Sequence, residues 1–180
     1  EQIGSQNVLT TLFSTDDTKK NEDFSEKTIA ELVRACFEMG KVKTGALIVI
    51  ERGTPLGEIE RTGIEVDGIV TSQLLINIFE HNTPLHDGAV VIRGNRVTAA
   101  TCYLPLSDNM DISKALGTRH RAAVGVSEAT DSVTLVVSEE TGRVSVAVSG
   151  RLKSVKDGDE LRDILSVLVK RETENTGRFR

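Results

Sequence analysis

Residues 82–107 constrain the fold of this chain more than any other stretch, because two β-rich runs there are separated by a tight turn. Residues 89–92 are a short apolar run, and residues 96–104 are the second β-rich run. Gly94 and Asn95 between them are typical of a two-residue hairpin turn. The stretch therefore predicts two antiparallel strands joined by a tight turn.

Asp87 lies just before this hairpin, at the point where a polar loop becomes a strand. Pro84 disfavours helical backbone at Thr83, and Gly88 allows the chain to bend directly after the acid. We therefore expect a carboxylate held rigidly at the entrance of the first strand, where it is placed for chemistry. Asp and Gly are also ordinary turn residues, so an acid that merely caps backbone amides is the alternative interpretation.

The apolar pattern of the rest of the chain alternates between helices and strands. Residues 25–40 repeat apolar side chains at intervals of three and four after Ser25, a candidate N-cap, which predicts an amphipathic helix. Residues 45–50 are continuously apolar, which predicts a central strand covered on both faces. Further expected elements are a strand near 63–66, a helix over 71–80, a helix starting at the basic residues 118–121 and continuing over 122–129, strands at 133–137 and 144–148, an extension at 152–155, a last helix after residue 159, and fraying from residue 171.

These elements predict an α/β fold: a single domain with a mixed central β-sheet flanked by helices. The chain has 180 residues, enough for one domain to bury a core without disulfides or a structural metal. We place the domain at residues 25–172. Residues 1–24 are then an N-terminal segment and polar linker, and residues 173–180 are a C-terminal tail.

Composition excludes several classes of protein. With 22 basic and 27 acidic residues the net charge is −5, and no dense block of Lys or Arg is present, which disfavours a nucleic-acid surface. Cys36 and Cys102 are isolated, which indicates buried reduced thiols rather than a zinc site or a disulfide. No apolar run approaches the roughly 20 residues of a membrane-spanning helix, and no signal peptide is present, so we expect a soluble chain.

The triplet Arg119, His120 and Arg121 places two guanidinium groups at the predicted start of a helix. Free amides and the helix dipole at that end also favour an anion, so the triplet suits a polyphosphate. A solvated basic turn is the alternative. Thr118 is either a hydroxyl donor to the same ligand or the cap of the helix.

Three further groups complete the candidate site. His86 and Asp87 offer an imidazole and a carboxylate for a divalent metal with a phosphate, and Glu139 or Glu140 in the second hairpin turn could complete that metal site. Paired glutamates in a turn are more often simply solvated. Tyr103 and the residue after it have the shape to cover a flat base, although core packing is the commoner role of such side chains.

Four motifs resemble those of the bacterial diadenylate cyclases: LHDGA at 85–89, YLPLS at 103–107, GTRHRAA at 117–123 and SEETG at 138–142. The resemblance covers roughly residues 32–170. GALIVIERG and the LLINIF helix are similar to the membrane-anchored type of that family. No motif position departs from the family pattern.

The resemblance implies an enzyme that joins two ATP molecules into cyclic di-3′,5′-adenosine monophosphate and releases two pyrophosphates. It implies a divalent metal, Mn²⁺, Mg²⁺ or Co²⁺. Because each ribose 3′-hydroxyl must attack the α-phosphate of the opposite ATP, two chains are expected to face each other as a head-to-head homodimer.

Roles of individual residues follow from the same resemblance. Asp87 acts through the metal, because an ordinary carboxylate is too weak to deprotonate an alcohol unaided. The catalytic set is Asp87, Arg119, His120 and Arg121. The metal ligands are Asp87, His86 and Glu140, with Glu139 next in order. The ATP-binding set is Gly88, Ala89, Tyr103, Leu104, Gly117, Thr118, Arg119, His120, Arg121, Ser138 and Glu139.

The resemblance also implies a location at the cytoplasmic face of the cell membrane, through an N-terminal anchor outside this chain. ATP is the expected substrate, regulatory proteins are further candidate partners, and nucleic acid is not. The main competing hypothesis is a sensor that binds ATP or a cyclic dinucleotide without turnover. Two weaker hypotheses are a metal-dependent phosphohydrolase and a purely structural interaction domain.

Overall fold

The computed structural model of this chain describes residues 24–175, with side chains through residue 168. The N-terminal segment and linker expected over residues 1–24 lie outside the described residues, apart from residue 24, as does the end of the predicted tail. The fold below therefore concerns the predicted domain.

Within residues 24–175, seven strands form one sheet, which is mixed as the sequence predicts. They are β1 (Ala46–Ile50), β2 (Ile64–Ile69), β3 (Ala89–Arg93), β4 (Arg96–Cys102), β5 (Val133–Val137), β6 (Val144–Val148) and β7 (Arg151–Ser154). Their order across the sheet is β2-β4-β3-β1-β5-β6-β7. The β1–β3 pair is parallel, and the other neighbouring pairs are antiparallel. The predicted Gly94-Asn95 turn is confirmed, because Arg93 and Arg96 pair across it.

Five helices accompany the sheet within the described residues: α1 (Glu26–Lys41), α2 (Gly57–Glu60), α3 (Ser72–Phe79), α4 (Thr118–Ala129) and α5 (Gly158–Asn175). Two predicted caps are confirmed. The Ser25 hydroxyl accepts a hydrogen bond from the Thr28 amide, and the Thr71 hydroxyl accepts one from the Leu74 amide, each at 3.1 Å.

Strand β1 is the centre of the sheet, and its side chains alternate between two core layers. Ile48 and Ile50 pack in the larger layer, with α1, α3 and α5. Leu47 and Val49 pack in the smaller layer, beneath α4. The continuous apolar run of β1 thus reflects burial on both faces, as expected for a central strand.

Three expectations about the elements are wrong in detail. Helix α5 continues to Asn175, whereas the sequence predicts fraying from residue 171. The helix extends further because Lys, Arg and Glu have a high helix propensity even where the apolar pattern has ended. The short helix α2 is not among the expected elements, and strand β2 runs to Ile69 rather than to residue 66. The α2 helix has four residues and buries none of them, so it leaves no periodic signal.

Both cysteines are buried and free, as predicted. Burial raises the pKa of the Cys36 thiol to about 12. Burial, with a smaller contribution from the charge of Glu60, raises the pKa of the Cys102 thiol to about 11. Over residues 24–175, no helix combines the length and the apolar character that crossing a membrane requires.

Candidate active site

The loop that carries Asp87 is fixed by close backbone packing against β4. Gly88 has φ +87°, and a Cβ added there would lie 2.9 Å from the carbonyl oxygen of Cys102. Only glycine fits this combination of left-handed backbone and contact. The pairing register of β3 and β4 shifts just after Ala89, which indicates a β-bulge. Bulges are common beside active sites, and they bend the strand that carries the extra residue. The exposed Asp87 carboxylate accepts a hydrogen bond from the Gly88 amide at 3.1 Å and otherwise faces solvent.

Arg119 lies in the first turn of α4 and forms an ion pair with Glu139, whose carboxylate oxygen is 2.8 Å from a guanidinium nitrogen. The Arg119 side chain is only 21% exposed, whereas Glu139 is 64% exposed. Gly45, just before β1, lies directly against this pair. A Cβ at that position would be 2.8 Å from the Arg119 guanidinium, so the absence of a side chain leaves room for the cation.

The turn that carries Ser138, Glu139 and Glu140 is held against the end of α1. Gly142 has φ +75°, and a Cβ on it would overlap the carbonyl oxygen of Gly40. Inside the turn, the Ser138 hydroxyl accepts hydrogen bonds from the Glu140 and Thr141 amides at 3.2 Å each. The predicted turn is therefore rigid and presents two exposed carboxylates.

Two cavities meet at the Arg119–Glu139 pair. The first, called here the Asp87 cleft, has a volume of about 460 Å³ and is lined by Leu47, Asp87, Gly88, Cys102, Tyr103, Leu104, Leu106, Thr118, Arg119, Ala122 and Glu139. The second, called here the Ser145 cavity, has a volume of about 220 Å³ and is lined by residues 115–120, 137–141, Arg143, Ser145 and Ser154. Thr118, Arg119 and Glu139 line both, so one extended ligand could occupy the two.

His120 is 6% exposed and lines the Ser145 cavity. Burial lowers its pKa below the ordinary value, and the charge of Arg119 adds to this effect while that of Glu140 opposes it. The imidazole is therefore neutral near pH 7, with one nitrogen to donate a hydrogen bond and one to accept.

Thr118 lines both cavities and does not cap α4. The N-cap is Gly117, which makes no side-chain capping bond, so the capping role considered for Thr118 is wrong. Its role as a hydroxyl donor to a ligand stays a prediction. Gly117 lines the Ser145 cavity.

The remaining predicted site residues lie at the edge of this arrangement. Arg121 lines neither cavity, because it lies two residues after Arg119 on the helix and its side chain therefore points in a different direction. The Arg121 carbonyl accepts a hydrogen bond from the Ser107 amide. His86 also lines neither cavity, and its Nδ1 lies 2.6 Å from the Thr83 carbonyl oxygen. Ala89 is buried at the start of β3. The roles expected for these three residues stay predictions.

The acidic ligands proposed for a metal are divided between the cavities. Asp87 lines its cleft, and Glu140 lines the Ser145 cavity. Among the residues that the structure describes, no three His, Cys, Asp or Glu side chains form a cluster able to hold a metal ion. The exposed carboxylates instead suit a cation of the Mg²⁺ type, which takes one or two protein oxygens and completes its shell with substrate phosphates and water.

The outer wall of the Asp87 cleft is apolar. Tyr103 is 70% exposed and Leu104 is 4% exposed, so the ring stands free while the leucine forms part of the floor. Leu106, which lines the same cleft, is 50% exposed. These side chains provide an apolar surface for a flat aromatic ligand and for a facing molecule.

Sequence reasoning missed Gly45, Arg143 and Ser145. Gly45 makes room for Arg119 from 74 residues earlier in the chain, and no local pattern signals such a contact. Ser145 alternates with valines in β6, a pattern that indicates only which face of the strand it lies on. The proximity of Arg143 to the SEETG motif was the one available signal.

The chain is similar to known proteins in sequence and in fold. Residues 33–152 match the family described as DAC, DisA bacterial checkpoint controller nucleotide-binding. Over 155 residues, the chain is 52% identical to the cyclic di-AMP synthase CdaA of Bacillus subtilis, covering 86% of this chain but 57% of that protein's length.

Two solved structures share the fold. The chain is similar to a crystal structure of a cysteine double mutant of DacA from Staphylococcus aureus, with a TM-score of 0.77 and 47% identity, over 79% of this chain and 95% of that one. It is also similar to a hypothetical membrane spanning protein from Bacillus cereus, with a TM-score of 0.70 and 42% identity, over 72% of this chain and 64% of that one. Because the family match covers most of the described domain and includes all four motifs, the chain belongs to the bacterial diadenylate cyclase (DAC) family.

Proposed function

We propose that this chain condenses two ATP molecules into cyclic di-3′,5′-adenosine monophosphate, with release of two pyrophosphates. The observation that carries the proposal is the convergence of Asp87, Thr118 and Arg119 on one cleft that also has an apolar wall. A nucleotide needs this combination of a surface for the base, an acid near the ribose and a cation for the phosphates. Membership of the diadenylate cyclase family supports this choice of reaction.

The residues that line the cleft support one direction for a bound ATP. Leu104 and Tyr103 provide the surface for adenine, which leaves the ribose near Asp87. The triphosphate then runs towards Arg119, Thr118 and the α4 amides, where charge and hydrogen-bond donors favour an anion. Arg119 is already held by Glu139 and packed against Gly45, so its position requires little reorganisation when ATP binds.

Asp87 in its cleft and Glu140 in the Ser145 cavity are each candidates to hold a divalent cation bound to the triphosphate. His86, which precedes Asp87 in its loop, is the next candidate. When bound, such a cation lowers the pKa of the ribose hydroxyl and offsets phosphate charge. Asp87 contributes an exposed carboxylate that is fixed by the Gly88 turn and is close to the expected ribose. Mn²⁺, Mg²⁺ and Co²⁺ all accept such oxygen ligands.

The reaction requires two copies of this site. In each half-reaction the 3′-oxygen of one ATP forms a bond to the α-phosphorus of the other, the bond to the β-phosphate oxygen breaks, and the hydroxyl proton leaves to solvent. The described part of the chain has one copy of the site, so it can bind one of the two nucleotides. We propose that two chains face each other as a homodimer across the open Asp87 cleft, where Tyr103 and Leu106 are exposed.

A membrane location is part of the proposal. The Bacillus cereus relative is described as membrane spanning, and the Bacillus subtilis relative is longer than this chain. We propose that the longer protein is anchored in the membrane and that this domain acts on the cytoplasmic side, where ATP is available.

Product analysis tests the proposed activity. The chain is incubated with ATP and Mn²⁺, and the products are identified by mass spectrometry for the wild type, Asp87→Asn and the matched control Asp111→Asn, an exposed aspartate outside both cavities. We expect cyclic di-AMP from the wild type and from Asp111→Asn, and at least 100-fold less from Asp87→Asn at an unchanged melting temperature. Recovery of intact ATP would favour the nucleotide sensor, and release of AMP or phosphate would favour the phosphohydrolase.

A further inference from the structure

The segment that forms the apolar wall of the Asp87 cleft, residues 103–107, lies outside the helices and strands. It is called here the YLPLS segment, and its side chains that line the cleft are Tyr103, Leu104 and Leu106. Because the segment does not belong to the hydrogen-bond ladder of the sheet, its position depends on contacts with other parts of the chain. Such contacts hold it at both ends.

The first end is held by Thr62, which follows helix α2. The Thr62 hydroxyl accepts a hydrogen bond from the Tyr103 amide at 2.8 Å and donates one to the Ile59 carbonyl at 2.7 Å. Helix α2 is itself fixed to the sheet, because the Glu60 carboxylate accepts a hydrogen bond from the Arg93 guanidinium of β3 at 2.8 Å. The backbone of Tyr103 is therefore tied, through one hydroxyl, to an anchored helix.

The second end is held by helix α4. The Ser107 amide donates a hydrogen bond to the Arg121 carbonyl at 3.0 Å, and the Ser107 hydroxyl donates one to the Glu128 carboxylate at 2.8 Å. Gly125 lies between Arg121 and Glu128 on the same helix. A Cβ on Gly125 would overlap the Pro105 carbonyl oxygen and lie 2.9 Å from the Ser107 nitrogen, so the two backbones are in direct contact.

Helix α4 thereby joins the two ends of the proposed nucleotide site. Its first turn carries Thr118 and Arg119, where the phosphates are proposed to bind, and its last turn carries Glu128. At a rise of about 1.5 Å per residue, Arg119 and Gly125 are about 9 Å apart along the helix axis. One helix therefore sets the spacing between the phosphate end and the apolar wall.

We propose that Thr62 and Glu128 are positioning residues, which hold the YLPLS segment in the conformation that binds the adenine base. Neither residue lines the Asp87 cleft or belongs to the four motifs, so both act through the segment. The inference rests on the proposed function, because it places adenine on Tyr103 and Leu104. When either contact is lost, nucleotide binding has to order the segment, and the affinity for the nucleotide falls.

Tyr103 provides the signal for the test, because it is the chain's one tyrosine and the chain has no tryptophan. Intrinsic fluorescence therefore reports on the apolar wall itself. Titration with α,β-methylene-ATP and Mg²⁺, followed through quenching of Tyr103, gives the affinity and the extent of quenching at saturation. We expect Thr62→Val and Glu128→Ala each to weaken binding about fivefold, as for one lost hydrogen bond, and to reduce the quenching at saturation.

Conservative variants and a second ligand separate positioning from a general loss of structure. Thr62 and Glu128 are exposed, so their substitution keeps the fold. Thr62→Ser keeps the hydroxyl and Glu128→Gln keeps an oxygen acceptor, so both should bind the analogue within twofold of the wild type. Tripolyphosphate lacks the base, and its affinity, measured by calorimetry, should be unchanged in all four variants. The matched control is Asp163→Ala, an exposed acid on α5 outside both cavities, which should behave as the wild type.

The outcomes separate this inference from the proposed function. Wild-type affinity and quenching in Thr62→Val or in Glu128→Ala would overturn the role of that residue. Weakened binding of tripolyphosphate, or failure of the conservative variants to restore affinity, would overturn the inference as a whole. Weakened binding of the analogue alone, restored in Thr62→Ser and Glu128→Gln, supports it. A wild type that binds the analogue but makes no cyclic di-AMP would refute the proposed reaction and leave the positioning role supported.

Discussion

Gly45 gives the sharpest test of how the site is built, because it makes room for Arg119 without contacting any proposed ligand itself. In Gly45→Ala the new methyl group would lie 2.8 Å from a guanidinium nitrogen, 3.0 Å from Cζ of Arg119 and 3.1 Å from Cβ of Glu139. Ordinary contacts begin near 3.5 Å, so the guanidinium has to move by about 0.7 Å. The substitution therefore displaces the cation expected to bind phosphate.

The expected effect on stability is small. The backbone at Gly45 is outside the left-handed region, so alanine fits its conformation. Alanine in place of glycine stabilises a fold by about 0.4–1 kcal/mol when the backbone permits it. Weakening a partly exposed ion pair costs about 0.2–1 kcal/mol, so the two effects offset each other.

The expected effect on activity is large. A misplacement of about 1 Å can reduce the rate about 100-fold, so a shift of about 0.7 Å predicts a roughly 10- to 100-fold loss in kcat/KM for cyclic di-AMP formation. The assay is the initial rate of product formation with ATP and Mn²⁺, together with the melting temperature. Gly57→Ala is the matched control, because a Cβ there meets nothing within 4 Å.

Two results would refute this reasoning. Wild-type kcat/KM in Gly45→Ala would show that the position of Arg119 has no role in turnover. A fall of more than about 5 °C in melting temperature would show that the crowding spreads to the backbone instead of displacing one side chain. Gly57→Ala should retain wild-type activity and stability.

Three further predictions concern stability, each measured by urea denaturation. Thr134→Val should raise the free energy of unfolding by about 1 kcal/mol, because the buried Thr134 hydroxyl has no partner among the described residues, and a decrease would contradict this. Gly142→Ala should lower it by about 2 kcal/mol or more, through its positive φ and its overlap with the Gly40 carbonyl; an unchanged value would show that the turn relaxes freely. Burial lowers the pKa of His120 in the folded protein. The neutral His120 side chain therefore contributes its full stability above about pH 6.5, the ordinary pKa of histidine, and this contribution declines as the pH falls towards the lowered pKa. His120→Asn should therefore lose less stability than the wild type between pH 7 and pH 5, and an identical loss would count against the burial argument.

Local sequence patterns predict the elements whose signals are local. The Gly94-Asn95 turn, the caps at Ser25 and Thr71, and the bounds of β5 and β6 follow from turn chemistry, hydroxyl caps and β-branched runs. These features depend on interactions within a few residues. The order of the seven strands depends on long-range pairing, which no local pattern predicts.

The site is predictable in part, because its motifs are local but its packing is not. The motifs identify Asp87, Thr118, Arg119 and the turn at 138–142, and the structure brings these together around two adjoining cavities. The ion pair between Arg119 and Glu139 joins residues 20 positions apart and has no sequence signal. In the sequence, Arg121 directly follows Arg119 and His120, whereas in the helix its side chain points away from the cavities that those two residues line.

The concentration dependence of turnover tests most directly whether two chains face each other to make one product. Specific activity for cyclic di-AMP formation is measured over a dilution series, and the fraction of dimer is measured by analytical ultracentrifugation under the same conditions, with ATP analogue and Mn²⁺ present. The account predicts that specific activity rises in proportion to the dimer fraction and vanishes in the monomer. Constant specific activity across dilutions at which the protein is monomeric would contradict it.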